Sequence, residues 1–373
     1  MTTALRLPLA KPSLGPREEE LVVEVLRSGT LSLGPMTARF ERSFADRVGR
    51  RFAVACASGT GGLHAALHAA GVGPGEEVLT PSFGFISSAN VILYQGATPV
   101  FVEIDDETLN LDPSAIDVAI TGRTRAILPV HMFGHPCEMP AIMRSARAQD
   151  LAVVEDGCEA LLATLDGRVV GDDGNPTVYA FYANKQMTTG EGGMITTDDE
   201  RLERTLRSLI NQGRAAGGAM AFDRLGFNYR MSDVTAAIGV GQLERIDDLL
   251  AERERVAGRY LAALAAVDGV RLPAQSERLH RSWFVFPIRL ASGISRDGVA
   301  EHLAAAGVQT RPYMPAIHLQ REYVERFGYR PGMLPVTEAA SNSSLVLPFY
   351  PGMTDEEIAY AVEHLRAAID RAS

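Results

Sequence analysis

Cysteine is scarce in this chain of 373 residues: only Cys56, Cys137 and Cys158 occur, and no two of them form a C-x-x-C pair. That is too few for a disulfide framework and suits a reducing cytoplasm. No polybasic run is present, and acids and bases are interspersed at a formal net charge of -10. Nucleic acid and anionic membranes are therefore not expected as partners. No stretch of about eighteen uninterrupted apolar residues occurs, and Met1-Thr-Thr-Ala-Leu-Arg-Leu-Pro8 lacks an apolar signal segment. A soluble, unexported, cytoplasmic protein is expected. Internal repeats and low-complexity tracts are missing too, and the one stretch expected to flex is the Gly-Gly-Ala segment around Gly217.

What is present is alternation. Apolar runs at 99–103, 125–130 and 178–181 are separated by helical segments, which predicts an α/β protein with a large, mostly parallel, doubly wound sheet. After Met231-Ser-Asp233 the periodicity turns helical for a long stretch, with Leu243, Ile246, Leu249 and Leu250 spaced for one buried face. Beyond this long connecting helix come a strand at 283–288, a helix from Arg296 to Ala306 ending at Gly307, and a closing amphipathic helix from Asp355 to about Ala368. The chain thus divides into a large α/β domain, 1–240, and a smaller C-terminal α+β domain, 241–373.

Three segments carry chemistry. Lys185 lies in Phe181-Tyr-Ala-Asn-Lys-Gln-Met-Thr-Thr-Gly-Glu-Gly-Gly193, between an aromatic strand and a glycine-rich turn. Taken alone it reads as a surface lysine on a loop. Where water is partly excluded, however, a lysine sheds its proton more readily, and its free amine can form a Schiff base with an aldehyde. Upstream, Leu151-Ala-Val-Val-Glu-Asp-Gly157 reads as a buried parallel strand ending in two carboxylates, at the edge where open α/β sheets bind ligands. Either acid could hold a protonated pyridine nitrogen. We assign that role to Asp156 and a structural or helix-entry role to Glu155, although Asp156 alone also reads as a helix cap. Further upstream, Ala57-Ser-Gly-Thr-Gly-Gly62 joins a short strand to an Ala-rich helix, so glycine backbone, the hydroxyls of Ser58 and Thr60 and a helix start could cradle a phosphate. Neither the Gly-Lys-Ser/Thr of a P-loop nor a G-x-G-x-x-G fingerprint accompanies it. Together the segments suggest pyridoxal phosphate.

Ser58-Gly59-Thr60, Pro81-Ser-Phe-Gly-Phe85, Glu155-Asp156, Lys185 with its Gly-Glu-Gly-Gly tail, and Gly226-Phe-Asn-Tyr-Arg-Met-Ser-Asp233 resemble, in order and spacing, the DegT/DnrJ/StrS family of sugar aminotransferases. The resemblance extends from Ser28-Gly-Thr-Leu-Ser-Leu-Gly-Pro35 to Leu347-Pro-Phe-Tyr-Pro-Gly352. It implies the fold of pyridoxal-phosphate transferases of fold type I. It further implies that Lys185 carries the cofactor and shuttles the proton, that Asp156 holds the pyridinium, and that Gly59 and Thr60 bind the phosphate. Phe85 would lie flat against the ring, although an aromatic in an apolar stretch also reads as plain core. Asn228 would reach the phosphate of the neighbouring subunit, implying a homodimer with shared active sites. Arg230 becomes a candidate for the donor carboxylate, or else for an interface ion pair.

Two positions depart from the family pattern. Ala180 stands where many members place a phosphate-binding serine, and Glu159 stands where many place Gln or His, changing the charge beside the cofactor. His131 and His135 are four apart but flank Phe133-Gly134 in a strand-end loop, so no metal is expected. His318, in the proline-rich loop at 311–318, is a candidate to border the substrate or a structural histidine. The resemblance implies transfer of an amino group from L-glutamate to a keto carbon, C4 or C3, of a nucleotide-linked deoxysugar. Two rival readings are a sugar dehydratase on the same scaffold, disfavoured because related dehydratases replace the lysine kept here, and a non-catalytic regulator that binds the cofactor.

Overall fold

The computed structural model describes residues 5–215 and 220–372; the segment around Gly217 lies outside them. Strands β1 (Phe52–Cys56), β2 (Glu77–Pro81), β3 (Thr98–Val102), β4 (Thr124–Ile127), β5 (Ala152–Val153) and β6 (Glu155–Asp156) alternate with helices. A short hairpin follows, β7 (Thr164–Leu165) and β8 (Arg168–Val169), and then β9 (Thr177–Ala180) and β10 (Gly193–Thr197). Two four-stranded runs, β3-β2-β4-β5 and β1-β10-β9-β6, share the chain segment through Val154. Val130 bridges Asp156 in parallel, and the Asp156 N–H donates to Pro129 O at 2.9 Å, so the runs continue one another. Within these two runs the antiparallel pairings are those of β10 with β1 and β9, and the others are parallel. Every residue of β2 is buried, as expected of a central parallel strand covered on both faces.

The run at 151–157, expected as one strand, is divided because its pairing partner changes. Ala152 and Val153 pair with β4, whereas Glu155 and Asp156 pair with β9. The expected strands at 99–103, 125–130 and 178–181 appear as β3, β4 and β9, each starting one residue earlier, with β4 ending at Ile127.

The expected long helix is broken. Asp233–Glu244 and Ile246–Leu264 are separated at Arg245, whose backbone leaves the helical region at φ -124° and ψ 23°. Its guanidinium donates to Glu18 Oε1 at 3.0 Å and Ser13 Oγ at 3.3 Å, contacts that a continuous helix would have to satisfy otherwise. Leu243, Ile246 and Leu249 are buried with Phe40 and Phe44 in one core, with Leu250 packed against it. Farther along, Val256, Tyr260 and Leu264 enter a second core with Trp283, Phe286, Leu345 and Leu365. One helix therefore joins two cores.

The second core lies against an antiparallel sheet of β11 (Val270–Arg271), β13 (Phe286–Leu290) and β14 (Ser344–Leu347), while β12 (Leu279–His280) pairs back onto β7. The strand expected from Trp283 starts its ladder only at Phe286, because the carbonyls of Trp283 and Phe284 accept hydrogen bonds from Arg253 instead. Helices Arg296–Ala305 and Asp355–Ala372 follow, the latter longer than its expected end near 368. Among the described residues no helix is long and apolar enough to cross a membrane.

Candidate active site

At the carboxyl ends of the parallel strands a cavity of about 410 Å³ opens between the sheet and the segments beyond residue 280. Gly59, Thr60, Phe85, Asp156, Glu159 and Lys185 all line it. The chain leaving β1 turns at Ser58, whose Oγ caps helix Gly59–Ala69 by accepting from the Gly61 N–H at 3.0 Å. This turn is packed as tightly as backbone allows. A Cβ on Gly59 would lie 2.7 Å from Ala180 Cβ and 2.8 Å from Cys158 Sγ, and one on Gly193 would lie 2.7 Å from the Ser58 carbonyl. With glycine at 59, 61 and 62, the first helical turn can present N–H groups, the Thr60 hydroxyl and its positive dipole end to an anion.

Adjacent acids in β6 face opposite ways, as neighbours in a strand must. Asp156 lines the cavity with both oxygens held: Oδ2 accepts from Ser88 Oγ at 2.6 Å and Oδ1 from the Cys158 N–H at 3.1 Å. Glu155 is fully buried on the other face, taking Asn175 Nδ2 at 2.8 Å and His131 Nε2 at 3.1 Å. The Cys137 N–H donates to His131 Nδ1, so the ring proton sits on Nε2 and donates to Glu155. Glu155 is thus structural, and not at a helix entry. His131 and His135 do not converge, since His135 Nδ1 contacts Pro136 O at 2.9 Å, and among the described residues no cluster of three or more His, Cys, Asp or Glu is gathered for a metal.

Lys185 follows β9, its side chain 12% exposed. Nζ lies 3.9 Å from the centre of the Phe284 ring and 3.7 Å from Glu159 Oε1. The Lys185 carbonyl accepts from Arg253 Nη2 at 2.8 Å, which ties the lysine loop to the second core. Burial pushes the Glu159 carboxyl above its ordinary range, while Lys185 and the Phe133 N–H hold it down. Burial likewise raises the Cys158 thiol well above its ordinary value, as befits a packing residue. Phe85 is no core residue: it is 60% exposed, with its ring on the cavity wall.

Three expected site residues lie off the walls. Asn228 is exposed and bridged to Asn211, and Arg230 Nη1 donates to Asn211 Oδ1 at 3.0 Å. His318 corrects its substrate-bordering expectation: it is fully buried, with Nδ1 2.7 Å from Ser82 Oγ and Nε2 3.2 Å from Glu338 Oε1. Its loop does border the cavity, but through Tyr313 and Met314. Sequence reasoning missed these two, together with Phe284 and Ser88. Ser88 was findable, since Ser87-Ser88 opens the helix after β2; the others come from distant segments without a local signal.

The residues present fit pyridoxal phosphate. A glycine-rich helix start with the Thr60 hydroxyl suits the phosphate, a held carboxylate suits a protonated ring nitrogen, and a shielded amine suits an aldehyde. Residues 12–366 match the model of the DegT/DnrJ/EryC1/StrS aminotransferase family. GDP-perosamine synthase of Caulobacter vibrioides is 40% identical, covering 100% of this chain and 99% of that protein. Among solved structures, S. venezuelae DesV is 32% identical with a TM-score of 0.93, covering 99% of this chain and 100% of its own. Spr1654 of Streptococcus pneumoniae, in its PLP form, is 26% identical with a TM-score of 0.94, over 98% and 99% of the two chains.

Proposed function

The chain belongs to the DegT/DnrJ/EryC1/StrS aminotransferase family, and from that premise we propose how its residues divide the work of a pyridoxal-phosphate-dependent nucleotide-sugar aminotransferase. One observation carries the reading: amine, acid and helix start converge on a single cavity as Lys185, Asp156 and Gly59. The cofactor, when bound, supplies a carbonyl carbon that takes up nitrogen and a ring that draws electrons from it. Gly59 and Thr60 would hold the phosphate, with no serine at position 180 to help. Asp156, its oxygens already oriented by Ser88 and Cys158, would keep the ring nitrogen protonated. Phe85 would cover the ring face. Lys185 would bond the cofactor and, once released, carry the proton to and from the substrate carbon.

The donor we propose is L-glutamate, which leaves as its keto acid before a nucleotide-linked ketosugar takes the nitrogen at C4 or C3, in ping-pong order. The relative named GDP-perosamine synthase makes a GDP-linked sugar the first acceptor to try. Arg230 offers a guanidinium fork for the donor carboxylate. Asn228, exposed and off the cavity of its own chain, supports a homodimer in which it serves the neighbour's site. Few cysteines and an acidic balance support a cytoplasmic setting. Purified enzyme given glutamate and GDP-, UDP- or dTDP-linked ketosugars should yield an amino sugar by mass spectrometry with at least one of them. Failure with every acceptor, while glutamate still converts the cofactor, would remove the sugar assignment.

A further inference from the structure

Glu159 is a second carboxylate on the cavity wall, three residues past Asp156, and it faces the lysine. Its Oε2 is pinned by the Phe133 N–H at 3.0 Å, where the Phe133 backbone takes a left-handed φ of 51°, while Oε1 lies 3.7 Å from Lys185 Nζ. Both side chains are largely buried, at 5% and 12% exposure. The Phe284 ring lies 3.9 Å from the same nitrogen, so there aromatic surface stands in place of water. The titratable groups that interact with Glu159 are Asp156, Cys158, Lys185 and Tyr313. Of these only Lys185 is a cation, and with Asp156 committed to the ring nitrogen the lysine nitrogen is left to Glu159.

We propose that Glu159 is the counter-ion of Lys185, a positioning residue that keeps the lysine nitrogen protonated while it is bonded to the cofactor. A protonated nitrogen makes the carbon attached to it poorer in electrons and more open to the incoming amino donor. Opposite charges at this separation, with little water between them, interact far more strongly than they would in bulk solvent. The inference rests on Lys185 being the residue that carries the cofactor.

The test is a pH titration of the visible absorption band of the cofactor-loaded enzyme, in wild type, E159Q and E159D. Glutamine can still accept from the Phe133 N–H but has no charge, so E159Q should lower the titration midpoint by at least about one pH unit, a tenfold loss of proton affinity. E159D keeps a charge and should titrate closer to wild type than E159Q does. An unmoved midpoint in E159Q, or an E159D midpoint as low as that of E159Q, overturns the proposal. E159A removes the same charge and decides the matter where the glutamine variant does not fold. A purely structural role would lower the melting temperature and leave the midpoint where it was. Absence of any visible band in wild type would instead sink the cofactor assignment itself, which keeps the two failures apart.

Discussion

The cavity has two unlike walls. Gly59, Asp156 and Ala180 sit on the sheet side: Asp156 and Ala180 lie in strands whose ladders set the direction of each side chain, and Gly59 opens the helix that follows β1. Phe284, Tyr313 and Met314 form the other side and come from segments outside any strand. What holds that second wall is a pair of buried polar hubs. Arg253 donates to the carbonyls of Lys185, Phe284 and Trp283, and His318 joins Ser82 to Glu338. Chemistry rests on positions at strand ends and the turns that follow them, and closure rests on buried polar side chains that bridge distant segments. Substitutions on the first wall should therefore cost activity with the fold kept, and substitutions at the hubs should cost stability.

The largest effect is expected from Lys185→Ala, which should leave a folded protein without the cofactor's visible band and without transamination; normal turnover would break the assignment of that wall. The same variant tests whether the site is shared. Mixed with Asn228→Asp subunits, in which a carboxylate repels the cofactor phosphate, it should regain activity in heterodimers, because one of the two sites then carries neither lesion. With subunit exchange verified, activity no higher than that of the separate variants would place Asn228 within its own chain's site or outside any.

Asp156→Asn comes next. It should keep the fold and lower kcat/KM by more than about tenfold, or roughly 1.4 kcal/mol of barrier, because an amide does not hold the pyridinium proton as a carboxylate does. A smaller change would show that Asp156 does not hold the ring nitrogen, since Glu155 faces away from the cavity.

On the second wall, Arg253→Leu should destabilise the protein by about 3 kcal/mol, since buried carbonyls left without donors cost about 1–3 kcal/mol each. Burial already pulls the Arg253 guanidinium down to about 10, so its removal relieves some strain on charge, but the carbonyls of the lysine loop and the Trp283-Phe284 segment lose their partner. A fall in urea midpoint checks this; unchanged stability with lost activity would show that the two walls are not divided as described.

The smallest effect is a pH dependence. Burial, helped by the charge of Arg281, lowers His135 to about 4 in the folded protein. The unfolded chain binds this proton near pH 6.5, so the stability held by neutral His135 is complete above that value and declines as pH falls toward 4, by about 2 kcal/mol at pH 5. His135→Gln should flatten this part of the urea midpoint against pH, and an unchanged slope would show that His135 is charged when folded.

Much of the first wall was legible from local pattern. A small-residue turn between strand and helix, an apolar run ending in acids, and a lysine beside a glycine-rich turn each describe a strand end, and strand ends converge in an α/β sheet. Residue types and spacing were enough because those elements position their own side chains. The division between Asp156 and Glu155 was weaker in the sequence, since either acid could have faced the ligand. Tertiary structure decided it through the shift of pairing from β4 to β9 around Val154, which turns one acid to the cavity and buries the other against His131. The same holds for the broken helix at Arg245, for His318 turned inward, and for Phe284 and Tyr313 reaching the cavity of Lys185 from distant parts of the chain. Hydrophobic periodicity records which face of an element is buried, but not which distant carbonyl or carboxylate a buried arginine or histidine will meet there. That choice appears only when the two cores pack against one another.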